Sequence, residues 1–173
     1  MVNQDVFASN DLAKITLKEL SAEVGKMLLR KRFTVCTAES LTAGLVSNSI
    51  ALTPGASKYL AGTVVAYQTQ AKRELLKVEP TLLLSFGAVH PEVAWQMASG
   101  ALGLFGTDCC IATTGFAGGG VADVNDGLVY ICVITPKRKL VQEFRFNDEH
   151  IIAREEVMEL TSKNALKMLI ENL

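Results

Sequence analysis

The sequence predicts an α/β fold: a three-layer α/β/α sandwich on a mixed β-sheet. Two observations carry this. Helical and strand-like patterns alternate over the first two-thirds of the chain, the arrangement that parallel strands with crossover helices require. Two strand-like runs then follow each other directly near the end, joined through Pro136-Lys137-Arg138-Lys139, a hairpin that adds antiparallel strands. A chain of 173 residues suits one compact domain, and 49% apolar residues can fill its core, so 1–173 reads as a single domain.

The elements follow in order. Met1 to Asn10 are polar and lack the apolar run of a signal peptide, so a flexible N-terminus is expected. Apolar residues at Leu12, Ile15, Leu20, Val24 and Leu28 are spaced for a helix over 11–32, with Arg30, Lys31 and Arg32 at the end that the helix dipole favours. Phe33 to Thr37 is a short strand, Leu41 to Leu52 a second helix, and Thr53-Pro54-Gly55 its stop. Tyr59 to Tyr67, rich in Val and aromatic residues, reads as a strand. A short helix over Thr69 to Lys77, another turn of helix from Pro80, and a helix from Pro91 to about Leu104 come next. Cys109 to Thr114 is a strand that opens into a glycine-rich loop, Gly115 to Gly120. Leu128–Ile134 and Leu140–Phe146 form the hairpin, and Glu149 to Leu173 closes the chain as an amphipathic helix.

Charge and composition exclude several classes. The 17 basic residues balance 18 acidic ones, so no long-range field points to nucleic acid or an anionic membrane. No apolar run approaches the roughly 18 residues of a membrane span. The four cysteines lie in apolar runs without a CxxC pair, which predicts buried free thiols in a cytoplasmic, reducing setting rather than a zinc site.

Three segments carry chemistry: Thr37 to Gly44, Tyr67 to Lys72, and Thr114 to Gly120. Each falls at the C-terminal end of a predicted strand, where α/β sheets build ligand clefts. Ser40, at a strand-to-helix junction, reads either as a helix N-cap or as a nucleophile beside main-chain N–H groups that hold an oxyanion. A nucleophilic serine needs a base. Only His90 and His150 exist, and neither is well placed. Lys72 is the alternative: with Thr69 as N-cap it sits in the first turn of its helix, where the dipole and a cleft both disfavour the ammonium. A neutral lysine can take a serine proton. Tyr67, ending the preceding strand, is placed to relay or orient that proton. Each also has a plainer reading, Lys72 as a solvated helix charge and Tyr67 as a strand-end aromatic. Glu39 can hydrogen-bond the Ser40 loop or act as an acid. Asp123 and Asp126 read as turn formers or metal ligands, and His90 as a cap or a substrate contact.

Taken together, these segments resemble the CinA C-terminal domain family, the PncC-type nicotinamide mononucleotide amidohydrolases. Thr37-Ala-Glu-Ser40 with Thr42 and Gly44 resembles TAESCTGG, and Pro54-Gly55-Ala56-Ser57 the PGSS turn. Tyr67 to Lys72 resembles YSNEAK, Gly87-Ala88-Val89 matches GAVS, and Thr114 to Gly118 matches TGIAG. The resemblance implies a homo-oligomeric α/β/α protein in its stand-alone form, without the molybdopterin-type domain that precedes it in larger relatives. It implies an amide hydrolase that needs no metal or organic cofactor and deamidates nicotinamide mononucleotide, with Ser40, Lys72 and Tyr67 catalytic. Thr42, Ser57, Thr114, Gly115, Ala117, Gly118 and Arg154 would border the substrate. Departures fall at Leu41, Ala43, Gln68, Thr69, Gln70, His90, Gly119, Asn125-Asp126 and Asn147-Asp148-Glu149, the last replacing an arginine-bearing turn. They keep a second reading open: a catalytically silent or re-specialised paralogue that binds a nucleotide or a protein.

Overall fold

The computed structural model describes residues 12–118, 126–146 and 153–173. The expected residues in Met1 to Asn10, Asp11, Gly119, Gly120, Asp123, Asn125, the 147–149 turn and His150 lie outside these stretches.

Six helices and five strands alternate as anticipated among the described residues. They are α1 (Leu17–Lys31), β1 (Val35–Glu39), α2 (Leu45–Ala51), β2 (Leu60–Val65), α3 (Thr69–Leu76), α4 (Pro80–Phe86), α5 (Pro91–Phe105), β3 (Cys109–Gly115), β4 (Leu128–Ile134), β5 (Lys139–Arg145) and α6 (Arg154–Asn172). The first helix starts at Leu17 rather than at residue 11. Thr16 accepts the Glu19 N–H while the Glu19 carboxylate accepts the Thr16 N–H, a capping box that ends the preceding turn, Leu12–Lys14. The second helix starts at Leu45 rather than Leu41. Ala43 and Gly44 hold left-handed φ values of 52° and 98°, which no helix accommodates in succession, so 40–44 form a turn instead.

The sheet runs β2-β1-β3-β4-β5, with β2, β1 and β3 parallel and β4 and β5 antiparallel. It is therefore a mixed sheet with helices on both faces. Leu20, Val24 and Leu28 of α1, Val46 and Ile50 of α2, and Leu166 and Leu169 of α6 cover Val35, Ile111, Val129 and Ile131. On the opposite face Leu76 of α3 and Val93, Met97 and Ala101 of α5 cover Cys36, Ala38, Cys110 and Cys132. Each large side chain sequestered here contributes about 1.5–3 kcal/mol. All four cysteines are free and buried.

Register brings three strand ends together. Glu39 pairs with Val65 on one side and Thr113 on the other, so residues 40 and 66–67 leave the sheet beside Thr114 and Gly115 at the end of β3, from which 116–118 continue. Gly100 seats α3 at this edge: a Cβ there would overlap the Leu76 carbonyl, so only glycine lets α3 lie so close on α5.

Candidate active site

Ser40 follows β1 directly. Its N–H donates to the Thr113 carbonyl at 3.0 Å, and its carbonyl accepts the Ala43 N–H, which holds the turn tight. Ser40 is not a helix N-cap; Gly44 occupies that position for α2. The Leu41 N–H, next along the turn, has no acceptor among the described residues.

Beneath the turn lies Glu39, fully buried. One carboxylate oxygen accepts from the Thr42 hydroxyl at 2.8 Å and from the Gly44 and Val46 N–H groups at 2.9 and 3.1 Å. The other accepts from the Thr37 hydroxyl at 3.0 Å and the Ser47 N–H at 2.8 Å. The Thr42 and Thr113 hydroxyls are bonded at 2.8 Å, tying the turn to β3.

Lys72 reaches Ser40 from α3. Gln68, not Thr69, occupies the N-cap position, and Lys72 closes the first turn through its N–H to the Gln68 carbonyl. Its side chain is 1% exposed. Nζ lies 2.8 Å from Ser40 Oγ, 2.9 Å from the Ala66 carbonyl and 3.4 Å from the Tyr67 carbonyl. Burial pulls its pKa down to about 8. Loss of water, rather than the helix dipole, is the cause. A neutral amine has two N–H bonds and one lone pair. The two carbonyls can only accept, so they take the N–H bonds, and the lone pair faces the one partner with a proton to give, the Ser40 hydroxyl.

Tyr67 departs from expectation. Its side chain is 51% exposed, and its hydroxyl accepts from Arg154 rather than bonding Ser40 or Lys72. Only its main chain touches Lys72. Arg154, the first residue of α6, also donates to the Gly118 carbonyl at 2.9 Å, joining the β3 loop to the helix.

These groups line a cavity of about 380 Å³. Ser40, Lys72, Tyr67, Thr114, Gly115, Ala117, Gly118 and Arg154 all border it. Among the described residues its charged side chains are Lys72, Asp126 and Arg154. Thr114 Oγ1 donates to the Ala88 carbonyl at 2.7 Å, fastening the 87–89 segment to the wall. A Cβ on Gly115 would lie 2.6 Å from the Leu128 carbonyl, so glycine is required where β3 meets β4. The site thus holds a hydroxyl, a buried amine 2.8 Å from it and, one residue on, an N–H with no acceptor among the described residues.

The family model of the CinA C-terminal domain matches residues 17–173. The chain belongs to the CinA C-terminal domain family. It is 37% identical over 152 residues to a CinA-like protein of Desulfotalea psychrophila, covering 87% of this chain and 36% of that protein. It is 37% identical over 166 residues to a putative competence-damage inducible protein of Desulforamulus reducens, covering 95% of this chain and 38% of that one. The chain thus spans little more than a third of these curated relatives. The crystal structure of the competence/damage inducible protein CihA from Agrobacterium tumefaciens is similar throughout, with a TM-score of 0.85 at 34% identity, covering 90% of this chain and 94% of that one.

Two residues carried over from the CinA motifs do not reach the cavity. Thr42 is buried under the turn, held by Glu39 and Thr113. Ser57 is exposed and precedes β2, placing it at the opposite edge of the sheet from Ser40. His90 caps α5 through Nδ1, which accepts the Glu92 N–H, and stacks on Phe86 at 4.6 Å. Leu41 and Asp126, both expected as altered pocket positions, and Phe116 of the expected 115–118 segment line the wall, whereas sequence reasoning did not place Ala88 and Val89 there. The GAVS match was the available signal. Among the described residues no group of three or more His, Cys, Asp or Glu is gathered for a metal, and no helix is long and apolar enough to cross a membrane.

Proposed function

We propose that this CinA-family chain is an amide hydrolase that converts nicotinamide mononucleotide and water to nicotinate mononucleotide and ammonia. The observation that carries the reading is the 2.8 Å approach of a buried lysine, with its pKa lowered to about 8, to the hydroxyl of Ser40. Neutral Lys72 takes the Ser40 proton as Oγ attacks the carboxamide carbon. The Leu41 N–H stabilises the oxyanion that forms. The carbon–nitrogen bond then breaks, and Lys72 returns the proton to the departing ammonia. Water, activated by the same amine, hydrolyses the acyl-enzyme and frees Ser40 with a carboxylate product. Arg154 on the cavity wall supplies positive charge for the phosphate, and Tyr67 orients that guanidinium. No step calls for a metal or organic cofactor.

One observation favours a second reading, a re-specialised paralogue that binds without turnover. The Tyr67 hydroxyl is engaged with Arg154 instead of the Ser40–Lys72 pair. Ammonia release from purified protein, measured across nicotinamide mononucleotide, nicotinamide riboside and nicotinamide beside calorimetric titration, separates the two. The amidase releases ammonia fastest from the phosphorylated compound. Tight binding without ammonia, also in a variant carrying Gln68→Ser, Thr69→Asn and Gln70→Glu, leaves the binding module standing.

A further inference from the structure

We infer that Glu39 is the positioning residue of the Ser40–Lys72 pair, holding both partners from the end of the central strand β1. The inference rests on reading Ser40 as a nucleophile, but not on the identity of the substrate.

The hold on Ser40 is through the side chain. A carboxylate can only accept, and this one meets five donors: the hydroxyls of Thr37 and Thr42 and the N–H groups of Gly44, Val46 and Ser47. Four of the five lie in the turn or at the start of α2, immediately after Ser40. They leave the 40–44 turn one arrangement, although Ala43 adopts a left-handed φ of 52° that alanine does not favour. The Thr42 hydroxyl extends the hold to Thr113, whose carbonyl accepts the Ser40 N–H.

The hold on Lys72 is through the main chain. The Glu39 carbonyl accepts the Ala66 N–H at 2.8 Å, and the Ala66 carbonyl accepts from Lys72 Nζ at 2.9 Å. One residue therefore sets the turn that aims Oγ and the carbonyl that seats Nζ. The carboxylate also occupies the N–H groups of Gly44, Val46 and Ser47, so an oxyanion is directed to the Leu41 N–H on the cavity wall.

Glutamine at this position keeps the shape but turns one acceptor into a donor that faces donors, whichever way the amide lies. The turn must shift, and a displacement of about 1 Å between reacting groups costs on the order of 100-fold in rate. A residue that only stabilised the fold would lower the melting temperature and leave the chemistry of Ser40 unchanged.

The test is the rate at which a fluorophosphonate probe labels Ser40, followed by intact mass from pH 6 to 10 well below each variant's melting temperature. Oγ bonds to phosphorus, fluoride leaves, and Lys72 takes the hydroxyl proton, so no substrate is needed. Wild type labels at Ser40 with a rate that rises through about pH 8, the value to which burial brings Lys72. Glu39→Gln lowers the alkaline plateau about 10- to 100-fold. Its midpoint stays near that of wild type, because burial and not the Glu39 side chain sets the Lys72 pKa, and the Ala66 and Tyr67 carbonyls, Asp126 and Arg154 are unchanged. Thr42→Val, which keeps the carboxylate but removes one of its five donors and the link to Thr113, lowers the plateau less, and Thr42→Ser restores it. If Glu39→Gln does not fold, the Thr42 pair decides alone. Wild-type plateaus in the folded variants, with only the melting temperature reduced, overturn the positioning role and leave the nucleophile reading intact. Wild type that does not label at Ser40 overturns both.

Discussion

Lys72 Nζ stands 2.8 Å from Ser40 Oγ although 32 positions separate the two residues in the chain. The parallel pairing of β1 with β2 puts the two strand ends side by side, and α3 returns Lys72 over them. The same burial that brings the amine to the serine strips its water and lowers its pKa to about 8. Geometry and protonation are therefore consequences of one packing arrangement.

If Lys72 is the base, Lys72→Met cuts ammonia release at least about 100-fold, the scale of one general base. The wild-type rate rises as pH passes through about 8, because only the deprotonated amine accepts the Ser40 proton. A pH–rate profile of kcat/KM from pH 6 to 10 checks this. A flat profile, or an active Lys72→Met protein, rules the lysine out.

Stability carries the same titration. Folded Lys72 loses its proton near pH 8, whereas in the unfolded chain it does so near the ordinary 10.5. Between those values the unfolded chain binds more protons, so Lys72 makes folding more favourable as pH rises, by a total of order 3 kcal/mol. Below pH 8 both states are protonated and the contribution is flat. Urea unfolding of wild type and Lys72→Met at pH 7 and pH 10.5 should show the wild type gaining relative to the variant. Equal pH dependence would place the Lys72 ammonium in water.

Ala43 occupies the turn with a φ of 52°, at a place where the resembling motif has glycine. A Cβ in the left-handed region is disfavoured, so Ala43→Gly should stabilise the protein by about 0.5–1 kcal/mol. The urea midpoint should rise with an unchanged slope. A lower midpoint would mean that the Ala43 methyl contributes packing that outweighs its backbone strain.

Arg154 and Tyr67 are expected to act on binding more than on turnover. Losing one charge-assisted contact of about 1.5–3 kcal/mol weakens binding about 10- to 100-fold. Such a contact is made equally before and during reaction, so Arg154→Ala should raise KM with little change in kcat. Tyr67→Phe, which loses only the hydroxyl that meets the guanidinium, should do less. A kcat loss in Tyr67→Phe as large as that in Lys72→Met would return the tyrosine to the proton-transfer chain.

How much of this was legible depended on range. Apolar runs such as Cys109 to Ile111 and Val129 to Ile134 announced buried strands, and the parallel-then-hairpin order followed from what lay between them. Ser40 and Lys72 could be singled out because strand ends mark clefts and because no histidine was well placed. Side-chain directions could not be read. The Tyr67 ring turns outward to Arg154, 87 positions away, a choice that no local pattern records. Ser57 looked like part of the site because its motif did, but it precedes a parallel strand whose other end forms the cavity. The α1 boundary was missed although Thr16 and Glu19 have the spacing of a capping box, because apolar periodicity runs through the break. Glu39 was seen as a neighbour of Ser40, but its five donors become countable only once the turn and α2 fold back over it.

The central claim is that Ser40, activated by Lys72, breaks a carboxamide bond. Its most direct test is ammonia and nicotinate mononucleotide formation from millimolar nicotinamide mononucleotide by wild type and Ser40→Ala, with both proteins shown to be folded by circular dichroism. Ser40→Ala should fold, since Lys72 keeps the Ala66 and Tyr67 carbonyls as partners. The account predicts stoichiometric release of both products by wild type and none by Ser40→Ala. Full turnover by folded Ser40→Ala, or calorimetric binding by wild type with no ammonia at all, would contradict it.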